Sequence, residues 1–285
     1  MPKVSVLMPV YKTNEKYLRE AISSILNQTY TDFEFLILDD CPEDTREEIV
    51  KSFKDKRIKY FKNEQNLGIT PSRNKLIDMA KGEYLAVFDH DDISLPTRFE
   101  KQVAYLDEYQ GVGVVSCKIK NMIRGTTSKN PTDDADIRLA LMRTCALTHP
   151  ASMIRKSVLI KNNIRYEEEF SPSEDYALWC RLIPFTKFHN INEVLFHYRD
   201  HVENTSHKQN YKMHQASLAI WSFVKNDNPS LYNEFLLKAK HTTRIRLFGF
   251  IPFITIIKQA NRSKVYLFEK IPLFASKSVI KLQEK

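Results

Sequence analysis

The chain has 285 residues, of which 42% are hydrophobic and 27% charged. That composition excludes a disordered chain and leaves room for one large domain or two modest ones. Lys and Arg number 43 against 35 Asp and Glu, and the formal charge of +8 suits an anionic partner: a phosphorylated substrate, an acidic membrane surface or a nucleic acid.

Residues 4–10 form a short apolar run ending beside Pro9 and read as a strand. Residues 17–29 follow with Leu18, Ala21, Ile22, Ile25 and Leu26 on one helical stripe. FEFLILDD (33–40) is the next strand, ending in Asp39 and Asp40. A helix over 45–53 and a strand over 57–63 come next. Thr70–Pro71 opens a helix that runs to Ala80, with proline at a tolerated first-turn position. A strand over 82–88, a helix from Pro96 and a strand over 111–119 complete the alternation. This order predicts a layered, mostly parallel α/β domain with helices on both faces of one central sheet. No GxGxxG and no GxxxxGK[ST] follows the first strand, which excludes a dinucleotide fingerprint and a P-loop. Cys41, Cys117, Cys145 and Cys180 lack zinc-like spacing and read as reduced thiols. The apolar start is too short for a signal peptide, and no run of about 18 apolar residues exists to span a bilayer. A cytoplasmic location is therefore expected.

The run LAVFDHDD (85–92) carries the most chemistry. An apolar run of that length reads as a buried parallel strand, and ligands of such sheets bind just beyond the strand ends. Asp89, Asp91 and Asp92 repel one another there unless a cation is shared. Hard oxygen donors favour Mg²⁺ or Mn²⁺, commonly held through substrate phosphates. Asp89 and Asp91 are two apart and point the same way in an extended segment, whereas His90 faces the other way and suits packing. Asp92 suits capping the next turn or holding this acidic group together. Arg73, in the first turn of its helix, is poorly placed for the helix dipole and better explained by an anion.

Taken in order, VSVLMPVYKTNEKYLREAISSILNQTY, FEFLILDD, NLGITPSRN (66–74), GEYLAVFDHDD, SEDYALWCRL (173–182) and YRDHVENTS (198–206) resemble a bacterial family 2 glycosyltransferase. The resemblance covers about residues 3–206. It implies a GT-A fold and an inverting transfer of a hexose or N-acetylhexosamine from a nucleotide diphosphate sugar, most simply a UDP-sugar. The acceptor would be a hydroxyl of a glycan or lipid-linked saccharide in surface polysaccharide synthesis. Two departures are Cys41–Pro42, where the family usually has Gly-Ser, and His90, where a small residue is common.

The resemblance also implies roles. Asp91 is the direct metal ligand, Asp89 faces ribose and metal, and His201 either completes the metal sphere or meets the diphosphate. Asp39 reads the base, in a pocket lined by Pro9, Val10 and Tyr11, the last as readily a surface aromatic. Asp40 is as readily a local turn former. Asn66, Gly68 and Arg73 belong to the donor site, and Asn74 holds the adjoining loop. Arg199 pairs with phosphate, on a segment that closes over the donor and includes His207. His149 is either an acceptor contact or a structural histidine. Asp175 is the base for the acceptor hydroxyl, its proton affinity raised by Glu174. Glu174 has a second reading as the N3 partner of a capping box begun by Ser171, with Pro172 first in the helix.

The expected organisation is 1–95 for the nucleotide sugar, 96–206 for acceptor and base, 207–243 as a helical extension broken near Asn228–Pro229, and 244–285 as a basic amphipathic tail. That tail repeats the pattern L-F-x-x-I-P and suits either an anionic membrane interface or packing on protein, including a homodimer. Alternatives are a nucleotidylyltransferase-like enzyme, which usually begins with a Gly-rich phosphate loop, and an inactive glycan-binding homologue. No nucleic-acid-binding motif accompanies the positive charge.

Overall fold

A computed structural model describes residues 1–201, 204 and 208–238 in full, and the backbone of 240–247, 251–259, 262–267 and 271–277. It divides into two compact units, Met1–Asn226 and Asp227–Lys285.

The first unit is built on β1 (Val4–Val10), β2 (Phe33–Asp39), β3 (Ile58–Lys62) and β4 (Tyr84–Val87), all parallel. Every residue of β1, β2 and β4 is buried, which is why these strands read as unbroken apolar runs. The eight-stranded sheet has the order β3-β2-β1-β4-β7-β6-β8-β5. Its remaining strands are β5 (Ile93–Ser94), β6 (Val112–Asn121), β7 (Met153–Arg155) and β8 (Lys187–Tyr198). β7 runs antiparallel between β4 and β6, while β6 and β8 are parallel. The sheet is thus parallel in its N-terminal half and mixed beyond β4. The carboxyl ends of β1, β2 and β4 share one edge, delivering Val10, Asp39 and, just beyond β4, Asp89.

Helix α1 (Glu15–Leu26) begins at Asn14, whose side chain accepts a hydrogen bond from the Lys16 amide at 3.0 Å. Its Leu18, Ala21, Ile22 and Ile25 are fully buried against the sheet. Burying the Leu and Ile side chains among these contributes roughly 1.5–3 kcal/mol each. Helices α2 (Glu47–Lys51), α3 (Ile69–Met79) and α4 (Arg98–Glu108) follow near the expected positions. α3 starts at Gly68, whose φ of +87° lies where side chains are disfavoured. After α5 (Asp134–Leu141) and α6 (Lys156–Lys161) comes α7 (Glu174–Leu182), with Trp179 fully buried. Here the capping-box expectation is corrected. The N-cap is Ser173, without a side-chain cap bond, so Glu174 is the first helical residue and not the N3 partner of Ser171.

The extension is helical through α8 (Asn210–Asp227) and α9 (Pro229–Lys238), with the break where Asn228–Pro229 predicts it. From Lys240 the chain is extended, so the helical extension ends short of residue 243. Strands β9 (Lys240–Leu247), β10 (Ile251–Gln259), β11 (Arg262–Leu267) and β12 (Ile271–Lys277) form an antiparallel sheet in the order β12-β11-β10-β9. Ile and Thr recur in these runs and favour strands. No helix among the described residues is long and apolar enough to cross a membrane.

Candidate active site

Beyond β4 the acidic run divides its partners. Asp89 Oδ1 accepts from Arg73 Nη2 at 3.3 Å, and Arg73 Nη1 donates to Glu174 Oε1 at 2.5 Å. Residues 101 apart in sequence thereby meet beside the motif. Arg73 is nearly buried; burial opposes its charge, but Asp89 and Glu174 more than offset that and hold it protonated. Asp91 Oδ2 lies 2.8 Å from His201 Nε2. Asp92 is buried and accepts from the Arg199 amide at 2.7 Å. It therefore ties the 199–201 segment to the motif. Burial, then the charges of Asp91 and Asp89, push the Asp92 carboxyl well above its usual range. His90 Nδ1 is buried and has no hydrogen-bond partner among the described residues.

Asp175, second in α7, accepts a bond from the Tyr176 amide at 2.7 Å. Burial and the neighbouring Glu174 raise its pKa to about 6, with Arg73 pulling the other way. A carboxylate of that proton affinity is suited to accept a proton near neutral pH. Burial and the Arg73 charge keep His149 neutral, its pKa well below the usual value. Its Nε2 lies 2.8 Å from the Tyr166 hydroxyl. Asn74 brackets Tyr166, donating to its carbonyl at 2.9 Å and accepting from its amide at 3.0 Å.

At the end of β2 the two aspartates have separate partners. Asp39 is fully buried; Oδ1 accepts from the Cys41 amide at 3.0 Å, and Oδ2 accepts from the Arg46 amide at 2.6 Å and the Tyr60 hydroxyl at 2.9 Å. A base reaches this carboxylate only if the 41–46 loop yields. Asp40 accepts from Asn63 Nδ2 and from the amides of Leu67 and Gly68, at 2.7–2.9 Å, and so fixes the turn before α3. Asn66 Oδ1 accepts from the same Gly68 amide, an Asx turn. Pro9 and Val10 are buried strand residues, while Tyr11 is 42% exposed beneath the Lys12 ammonium. Arg199 is committed elsewhere than to an open phosphate site. It donates to Glu20 Oε2 at 2.5 Å and to the Asp91 carbonyl at 2.7 Å. Val202, Glu203 and residues 205–207 lie outside the described residues, and the expectations for closure and for His207 fall there.

Asp91 and His201 bring a carboxylate and an imidazole together at 2.8 Å, donor types that suit a divalent cation, while Asp89 turns to Arg73. Among the described residues no group of three or more Asp, Glu, Cys or His side chains is placed to hold a metal ion by itself. A site of this kind leaves positions for phosphate oxygens. Sequence reasoning missed Glu20, Tyr17 and Tyr166. Tyr17 and Glu20 stand three apart on α1, a spacing that marks one face but no partner.

One sheet edge thus gathers the acidic motif, the buried Arg73 and the carboxylates that open α7. A family model described as glycosyl transferase family 2 matches residues 5–162. The chain belongs to that family. It is 33% identical over 299 aligned positions to an uncharacterised glycosyltransferase of Methanocaldococcus jannaschii, covering 100% of this chain and 94% of the relative. The O-antigen biosynthesis glycosyltransferase WbnJ of Escherichia coli is 31% identical, over 78% of this chain and 89% of its own. The fold matches Staphylococcus aureus TarS in complex with UDP-GlcNAc, at TM-score 0.68 and 21% identity, covering 82% of this chain and 72% of that one. It also matches the Pyrobaculum calidifontis mannosyltransferase PcManGT in complex with GDP-Man and Mn²⁺, at TM-score 0.60 and 16% identity, over 82% and 69%.

Proposed function

We propose that this glycosyltransferase moves a hexose or N-acetylhexosamine from a UDP-sugar, with inversion, to a hydroxyl of a glycan or lipid-linked saccharide in surface polysaccharide synthesis. The observation that carries the reading is the Arg73 bridge, which brings the Asp89–Asp91 motif beside the Glu174–Asp175 start of α7. One cluster then holds a leaving-group site and a base. WbnJ's name supports the pathway class, and the UDP-GlcNAc and GDP-Man–Mn²⁺ complexes of the two structural relatives support a nucleotide sugar and a divalent cation.

Asp91, Asp89 and His201 would hold Mg²⁺ or Mn²⁺, which when bound neutralises charge on the departing diphosphate. Asp175 accepts the proton of the acceptor hydroxyl as its oxygen bonds to the anomeric carbon. The bond to the diphosphate breaks, and its electron pair leaves with the phosphate oxygen. Asp39 and its loop form the wall of the base pocket, with Pro9, Val10 and Tyr11, while Asn66 and Gly68 shape the donor side. Arg199 keeps the 199–201 segment beside the diphosphate. Residues 1–95 serve the donor and 96–206 the acceptor, on the cytoplasmic side of a membrane that the basic tail 244–285 contacts.

Purified protein with Mn²⁺ or Mg²⁺ and a panel of nucleotide sugars tests this, reading donor turnover and the product anomer by NMR. Asp91→Asn and Asp175→Asn should each lose turnover by roughly 10²–10⁴-fold while remaining folded. Full activity in both, or a product of retained configuration, refutes the mechanism.

A further inference from the structure

The segment that brings His201 to Asp91 is gripped by α1. Arg199 Nη2 donates to Glu20 Oε2 at 2.5 Å, and Nε donates to the Asp91 carbonyl oxygen at 2.7 Å. Its guanidinium carbon lies 4.2 Å from the centroid of the Tyr17 ring. The same Tyr17 ring lies 5.7 Å from the His201 ring. Arg199 is 11% exposed and Glu20 37%, so this pair is better shielded than an ordinary surface ion pair. Backbone and side chain of residue 199 are therefore both tied around the acidic loop, and the outermost anchor is a carboxylate 179 residues away in sequence.

We propose that Glu20 and Tyr17 are positioning residues for the divalent-cation site. They hold Arg199, and Arg199 holds His201 within reach of Asp91. Neither touches the cation. Their effect is to pre-order a ligand that would otherwise lose conformational freedom on binding. This role rests on the metal reading proposed above.

The test is calorimetric titration of Mn²⁺ into the full chain at saturating UDP. Glu20→Ala should weaken Mn²⁺ binding by about 10-fold, the scale of lost outer-sphere support at metal sites. His201→Ala should weaken it too, and the double variant Glu20→Ala/His201→Ala should be no weaker than His201→Ala alone, because Glu20 acts through His201. Glu20→Gln should recover part of the loss, since its amide oxygen still accepts from Arg199. Glu15→Ala breaks the exposed Glu15–Arg19 pair on the same helix and should leave Mn²⁺ affinity unchanged. If Glu20→Ala does not fold, Tyr17→Leu measured the same way should show the same non-additivity with His201→Ala. Unchanged Mn²⁺ affinity in the folded Glu20 or Tyr17 variant, or losses that add fully to His201→Ala, overturns the role. UDP binding without any Mn²⁺ uptake by the parent chain would instead overturn the metal reading itself, and this role with it.

Discussion

Asp175 holds its proton more tightly in the folded chain than in an unfolded one, because burial and Glu174 disfavour its charge. Between the ordinary value of 3.8 and about 6 the native state is therefore the proton-richer state, and this group's contribution to stability falls as pH rises through that window. Two outcomes follow from one group. The turnover profile should have a rising limb near pH 6, absent from the residual activity of Asp175→Asn. In thermal melts, Asp175→Asn should gain on the parent from pH 4.5 to pH 7.5, the reverse of what a lost stabilising carboxylate would give. Arg73 has the opposite character. Removing it leaves Glu174 and Asp89 without their shared cation, and Arg73→Ala should cost about 3–5 kcal/mol in urea unfolding. Combined with Glu174→Ala the loss should be less than the sum of the two single losses. Both residues stand out in the sequence by their unusual local settings, an arginine opening a helix and adjacent carboxylates. Their contact was not legible, because nothing in local sequence encodes a pairing across 101 residues.

At the scale of elements, the strands of the N-terminal half fell where the apolar runs put them, and β1 matches residue for residue. Full burial on both faces makes β1, β2 and β4 readable. The start of α7 did not fall where expected, because S-P-S-E offers two N-cap positions and the helix begins from the second. The antiparallel β7 was also hidden. At three residues it is too short to carry a period. The turn into α3 depends on backbone freedom at Gly68, where an added methyl group would meet no atom within 4 Å. Gly68→Ala should therefore cost roughly 1–2 kcal/mol through backbone strain alone. Its enzymatic signature should be a raised KM for the donor with kcat little changed, measured by initial rates at fixed acceptor.

For the whole molecule, the charge of +8 and the basic tail predict a salt-sensitive association with anionic vesicles. The full chain should float with such liposomes and be released by salt, and a chain ending at residue 243 should not float. Equal flotation of both rejects the tail as the anchor. The expected border between donor and acceptor halves, near residue 95, has a different meaning in three dimensions. β4, which delivers the acidic motif, is hydrogen-bonded to β1 on one side and to β7 on the other, so a single sheet crosses that border. A hinge cannot open along a seam that is already zipped by main-chain bonds. Access to this edge is left to the loops and side chains at the rim, and the β4 amides should exchange with deuterium only as fast as the first unit unfolds as a whole.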